Sequence, residues 1–266
     1  MSAIQSGLSR RDLLRNMGII AGASLLSTEL LSSPAAAKTY LEQGGDLTSS
    51  KLADNLYLID GGGGNVAVLT GERTVVIDSK LNTVTKPLIA EISKVAGKQT
   101  SILINTHWHF DHVGSNVALG EAGATIIAHE NTRTRLSTDQ TVEFLNSKSP
   151  ALVKPGLPVI TFKDSLSLYE TGETIRLTHV APAHTDTDIY VHFENANVLH
   201  CGDLYFNGLY PFIDYSSKGW IGGMIASADK ILGVVDANTK IIPGHGPVSD
   251  KATLKRVSSC RATGSG

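Results

Sequence analysis

Ser101-Ile102-Leu103-Ile104-Asn105-Thr106-His107-Trp108-His109-Phe110-Asp111-His112 is the stretch that decides the reading of this chain. Its first five residues have an apolar centre and read as a short strand. The rest places three imidazoles and one carboxylate within six positions. Strand ends are where α/β folds put their chemistry. In an extended segment His107 and His109 project to the same side, so both can meet one ion from one face. The chain must turn at Asp111-His112, which aims these two side chains at a second position. Two ions roughly 3.5–4 Å apart, clamping a hydroxide, need this kind of spacing. Two zinc ions are the expected cofactor, with iron and manganese open.

Further ligands are sought at other strand ends. His184 stands in Ala181-Pro182-Ala183-His184-Thr185-Asp186, after a strand predicted over 174–180. Asp203 follows a strand over 198–200, and His245, in Pro243-Gly244-His245-Gly246, follows a strand over 240–242. Asp78 ends a strand over 74–77. Apolar periodicity predicts further strands over 55–59, 66–69, 101–105, 125–128, 166–168 and 189–193. It predicts helices over 85–95, 115–119, 130–136 and 220–232. Residues 41–50 read as a loose polar lead-in and 148–158 as a loop. No repeat and no linker divides the chain, which favours one domain over 38–260, two sheets with helices outside and a frayed tail over 261–266.

The N-terminus reads as a targeting segment. Arg10-Arg11 precedes an apolar stretch from Met17 to about Leu31, and Ser33-Pro34-Ala35-Ala36-Ala37 has the small residues of a cleavage site. The stretch is rich in Ser, Gly and Thr and poor as a membrane span. Residues 1–37 are expected to be a twin-arginine signal peptide that delivers the protein to the periplasm, with no membrane attachment after cleavage. The net charge of −2 comes without a basic run, which argues against a nucleic-acid partner. Two cysteines exclude a disulfide scaffold; Cys201 reads as a buried strand residue, with a bridge to Cys260 as the alternative.

Taken together, Asp78, the H-x-H-x-D-H run, His184, Asp203 and His245 resemble, in order, the signatures of the metallo-β-lactamase-fold hydrolase superfamily. The resemblance spans essentially the whole segment after the signal. It implies an αββα sandwich with the site at one edge of two sheets. It implies one ion on His107, His109 and His184, a second on Asp111, His112 and His245, and Asp203 bridging them. Asp78 would orient a ligand from behind the site. Ala183 stands where the family often has Gly, a departure that bears on the local loop geometry.

The expected activity is hydrolysis of a small-molecule carboxyl derivative: a lactone, thioester, ester or lactam. Asp111 would orient the nucleophile and pass its proton on. Asp203 resembles the glyoxalase II and lactonase branch, whereas the zinc β-lactamases carry Cys there or no ligand. A periplasmic β-lactamase is one alternative, and an iron-dependent sulfur dioxygenase with a similar motif is another. Tyr205, Phe206 and Tyr210 are read as a pocket wall, with core packing left open. The oligomeric state is not legible in the sequence.

Overall fold

The structure, a computed structural model, describes residues 46–170 and 172–256. The proposed signal, Cys260 and the tail lie outside them. The first strands are β1 (Thr48–Ala53), β2 (Leu56–Asp60), β3 (Val66–Leu69) and β4 (Val75–Ile77). They form an antiparallel meander, because short connections can only reverse the chain. Helix α1 (Thr85–Ala96) then crosses over and lets β5 (Ile102–Ile104) pair parallel to β4. The short helices α2 (Phe110–Val113) and α3 (Asn116–Glu121) lead to β6 (Thr125–His129), also parallel. After α4 (Glu130–Leu136) comes a separate hairpin, β7 (Gln140–Val142) and β8 (Ser147–Ser149). The sheet closes with β9 (Ile160–Phe162), in the order β1-β2-β3-β4-β5-β6-β9.

The second sheet has the order β10 (Ser165–Glu170), β11 (Glu173–His179), β12 (Ile189–Phe193), β13 (Val198–His200) and β14 (Lys240–Ile242). Its first four strands are antiparallel. Helix α5 (Ile221–Val234) makes the crossover that sets β14 parallel to β13.

Alternation along the strands makes the layers. Leu56, Leu58, Ala67, Leu69, Val75, Ile77, Ile102 and Ile104 face Ile175, Leu177, Ile189, Val191, Phe193 and Ile242 across the gap between the sheets. The alternate residues Val66, Val68, Val76 and Leu103 turn outward onto Leu88 and Ile92 of α1. Tyr190, Leu199 and Ile241 turn outward onto Met224, Ala228 and Ile231 of α5. The outer faces of the central strands are thus covered by helices, giving the αββα sandwich. Two expectations need correction. Part of the 41–50 lead-in is strand β1, and part of the 148–158 loop is strand β8 followed by a 3-10 turn over Lys154–Gly156.

A pair of histidines joins the sheets outside the metal ligands. His129 ends β6 and His179 ends β11, and their rings stack at 3.7 Å and 9°. His129 Nδ1 also accepts the backbone N–H of Asn131, capping α4. Burial, with the neighbouring His179, pushes His129 down to about 4 from an ordinary 6.5. Below pH 6.5 the unfolded chain takes up a proton that the folded His129 refuses until pH falls towards 4. Stability from this group is therefore complete above about pH 6.5 and is lost progressively as pH drops towards 4. Asn at this position keeps a capping oxygen but cannot titrate. In urea unfolding of metal-free protein, His129→Asn should narrow the stability difference between about pH 7 and pH 5. An unchanged difference would remove His129 as its source.

Candidate metal centre

The ends of β4 and β5 are tied by one buried carboxylate. Asp78 turns out of β4 with φ +63°. It accepts from Thr106 N (2.7 Å), Thr106 Oγ1 (2.7 Å) and His112 Nδ1 (2.7 Å). Thr106 is thereby held at the strand end, and residues 107–112 leave the sheet as a compact turn into α2. Two flanking segments hold that turn. Gly64 N donates to Asp111 O (3.0 Å), and Ser79 N donates to His112 O (2.7 Å). Gly64 lies flat on His112: a Cβ there would come within 2.2 Å of the ring.

Each of four histidines uses one ring nitrogen for support and turns the other to a common gap. Carboxylates and carbonyls only accept, so these bonds fix the proton positions. His112 donates from Nδ1 to Asp78. His109 donates from Nε2 to Asp214 Oδ2 (3.0 Å), and His184 from Nδ1 to Phe212 O (2.8 Å). The Thr106 hydroxyl gives its proton to Asp78 and accepts from His107 Nδ1 (3.1 Å). When these rings are neutral, the remaining nitrogens present lone pairs to the gap. His109 Nδ1 and His184 Nε2 face each other at 2.9 Å, a repulsive contact unless a cation lies between them.

Asp203 stands between two sets of groups. Its Oδ2 lies 3.4 Å from His184 Nε2 and 3.8 Å from His107 Nε2. Its Oδ1 lies 3.1 Å from His112 Nε2 and 3.6 Å from His245 Nε2. His245 Nε2 is also 3.1 Å from Asp111 Oδ2. One buried group is His107, His109, His184 and Asp203; the other is Asp111, His112 and His245. All seven predicted ligands are therefore brought together. His107 Nε2 is buried and lacks a hydrogen-bond partner among the described residues. Buried polar atoms are normally satisfied. A donor set of five imidazoles and two carboxylates with inward lone pairs fits two divalent cations. Electrostatics agree: burial raises the Asp203 carboxyl, but the surrounding imidazoles, His112 first, outweigh it and hold it well below its usual range.

The predicted pocket wall is only partly placed at the centre. Phe206 stacks on His245 (5.3 Å, 9°) and approaches His184 at 6.0 Å. Tyr205 takes the core alternative. It packs with Leu199, Met224 and Ile241, and its hydroxyl meets Asn207 and Ser249. Tyr210 is 54% exposed. Cys201 is fully buried in the same outer core as Tyr205 and belongs to neither ligand group. Ala183 fits its position, buried in that core with its N–H on Thr185 O.

Three supporting residues escaped the sequence reading. Asp214 is one, Phe212 is another, and Lys80 is the third. Lys80 is fully buried and donates from Nζ to Gly64 O (2.9 Å), bracing the glycine that packs on His112. Burial pushes Lys80 down to about 8 against the pull of Asp60, Asp78 and Asp111. Asp-x-Ser-Ser at 214–217 is a turn signature that could have drawn attention to Asp214, but nothing local points to His109.

Asp214→Asn tests that support. An amide can donate to His109 Nε2, which would move the ring proton to Nδ1 and cap the inward lone pair. Metal affinity should fall by roughly tenfold to a hundredfold in a chelator competition. Unaltered affinity would make Asp214 merely a turn residue.

Comparisons with known proteins identify the family of the fold. The family described as the metallo-beta-lactamase superfamily matches residues 59–245. The human acyl-coenzyme A thioesterase MBLAC2 is 23% identical over 223 residues, covering 73% of this chain and 79% of that protein. Metallo-beta-lactamase type 2 of Bacillus sp. (strain 170) is 26% identical over 186 residues, covering 70% and 67%. The structure of a metallo-beta-lactamase from Pontibacter korlensis superposes with a TM-score of 0.67 at 18% identity, over 81% of this chain and 99% of that one. The chain belongs to the metallo-beta-lactamase superfamily and is a metal-dependent hydrolase.

Proposed function

We propose that the protein is a dinuclear zinc hydrolase of acyl derivatives, with thioesters and lactones as the preferred class. The observation that carries the reading is Asp203, whose two oxygens address the two ligand groups separately. Two zinc ions would supply hydroxide at neutral pH and polarise the substrate carbonyl. His107, His109 and His184 would hold one ion, Asp111, His112 and His245 the other, with Asp203 shared. Asp111 Oδ2 faces the gap and is the group to accept the proton of the attacking water and return it to the leaving atom. Phe206 and Phe212, the latter 5.9 Å from His109 and 5.7 Å from His184, give the substrate an apolar surround suited to an acyl chain. The thioesterase relative supports this class. The Bacillus relative supports a second reading, in which a β-lactam is the substrate.

Metal analysis and a panel of acyl thioesters, acyl lactones, aryl esters and β-lactams separate these readings. Zinc at two ions per chain and turnover of thioester or lactone are expected. One iron per chain would overturn the zinc reading in favour of a dioxygenase. Asp111→Asn should lower kcat by roughly a hundredfold or more while metal stays bound; undiminished turnover would remove Asp111 from proton transfer.

The reading places the enzyme in the periplasm, on the strength of Arg10-Arg11 and the small-residue site ending at Ala37. Among the described residues no helix is long and apolar enough to cross a membrane. Changing Arg10 and Arg11 to Lys should leave the precursor inside the cell in a fractionation assay. Export that persists undiminished would refute the twin-arginine route.

A further inference from the structure

A cavity of about 300 Å³ lies behind the metal motif, under the β7–β8 hairpin. It is distinct from the metal centre, because its lining contains none of the seven ligand residues. Trp108, Phe110 and Val113 form one wall: they are the residues of the motif that turn away from the ligands. Leu152 adds to the apolar surface, and Arg135 and Lys148 bring positive charge. The volume is at the low end for small-molecule sites, which limits the occupant to a compact ligand.

Two observations say what that ligand is. First, the lining holds two cations and no acidic side chain. Arg135 is fixed by a bidentate pair with Asp186 (2.6 and 2.9 Å), and Lys218 leans on the same carboxylate at 3.3 Å. Two cations thus share one anion beside the cavity, while Lys148 has no ion pair among the described residues. Second, the rest of the lining includes the apolar side chains of Trp108, Phe110, Val113 and Leu152. The site therefore asks for an anionic oxygen on an apolar body.

We propose that this cavity binds a short fatty carboxylate, with its head group towards Lys148 and its alkyl chain against Phe110, Val113 and Leu152. The Trp108 ring lies against His109 at 4.7 Å, so an occupant presses on a residue that also supports the metal centre. Hydrolysis of an acyl thioester releases a carboxylate of this class, which would let product act back on the enzyme; binding itself does not depend on which bond the centre cleaves.

Trp220→Phe leaves Trp108 as the only tryptophan, since the chain has two. Titrating this metal-loaded protein with octanoate should give a saturable change in tryptophan fluorescence, and octanol a much weaker one. Lys148 is exposed, so Lys148→Glu should leave folding intact and weaken octanoate binding by roughly threefold to tenfold. Ser149→Phe, which fills part of the cavity, should weaken it as well. Absence of a saturable change, equal binding of octanol, or a change that persists undiminished in Lys148→Glu would overturn the proposal. The last result would mean that octanoate sits on the metal ions instead.

Discussion

The buried carboxylate of Asp78 is the constraint on which the site depends. A charge without exposure is costly unless it is fully hydrogen-bonded, and Asp78 accepts from three donors at 2.7 Å. Those donors belong to the end of β5 and to His112. Satisfying the charge therefore fixes how β4 and β5 terminate relative to one another. It also orients one ligand of each metal group: His112 directly, and His107 through the Thr106 hydroxyl. Losing this carboxylate would release both rings at once.

A second clamp works from the opposite end of the chain. Asn65, just before β3, donates from its backbone to Gly244 O and from its side chain to Pro243 O and Gly246 O. Its own carbonyl lies 3.0 Å from His200 Nε2. The loop that carries His245 is thus held by the first sheet as well as by β14. Close approach requires glycine here, since a Cβ on Gly244 would lie 1.9 Å from Asp203 Oδ1. The hydrophobic sandwich brings the sheets together, but these polar ties decide where its edge opens towards a metal.

The sequence revealed the ligands because their spacing and strand-end positions are local signals. It revealed the inner strands and long helices because their apolar alternation is strong. It missed β1, β7, β8 and β9, whose segments such as Ser147-Lys148-Ser149 are polar or lie at sheet edges. It could not pair Asp214 with His109 or Lys80 with Gly64, because those contacts arise only when distant segments fold together. Tyr205 and Phe206 show the limit of reading an aromatic cluster as a unit. The two are adjacent and face opposite ways, Tyr205 into the outer core and Phe206 bridging to His245. Composition marks such a segment as apolar; only its backbone path says which ring reaches the site.

The position of His245 has a consequence for synthesis. The chain emerges from the ribosome in sequence order, so the imidazoles at 107–112 exist long before the last strand. The second ligand group lacks a member until β14 has paired with β13, and Asn65 must wait for the same loop. A nascent chain can offer only a partial, open set of donors to any passing cation. Selection of the metal then belongs to the completed sandwich, and cation binding and closure of the final strand become one coupled equilibrium.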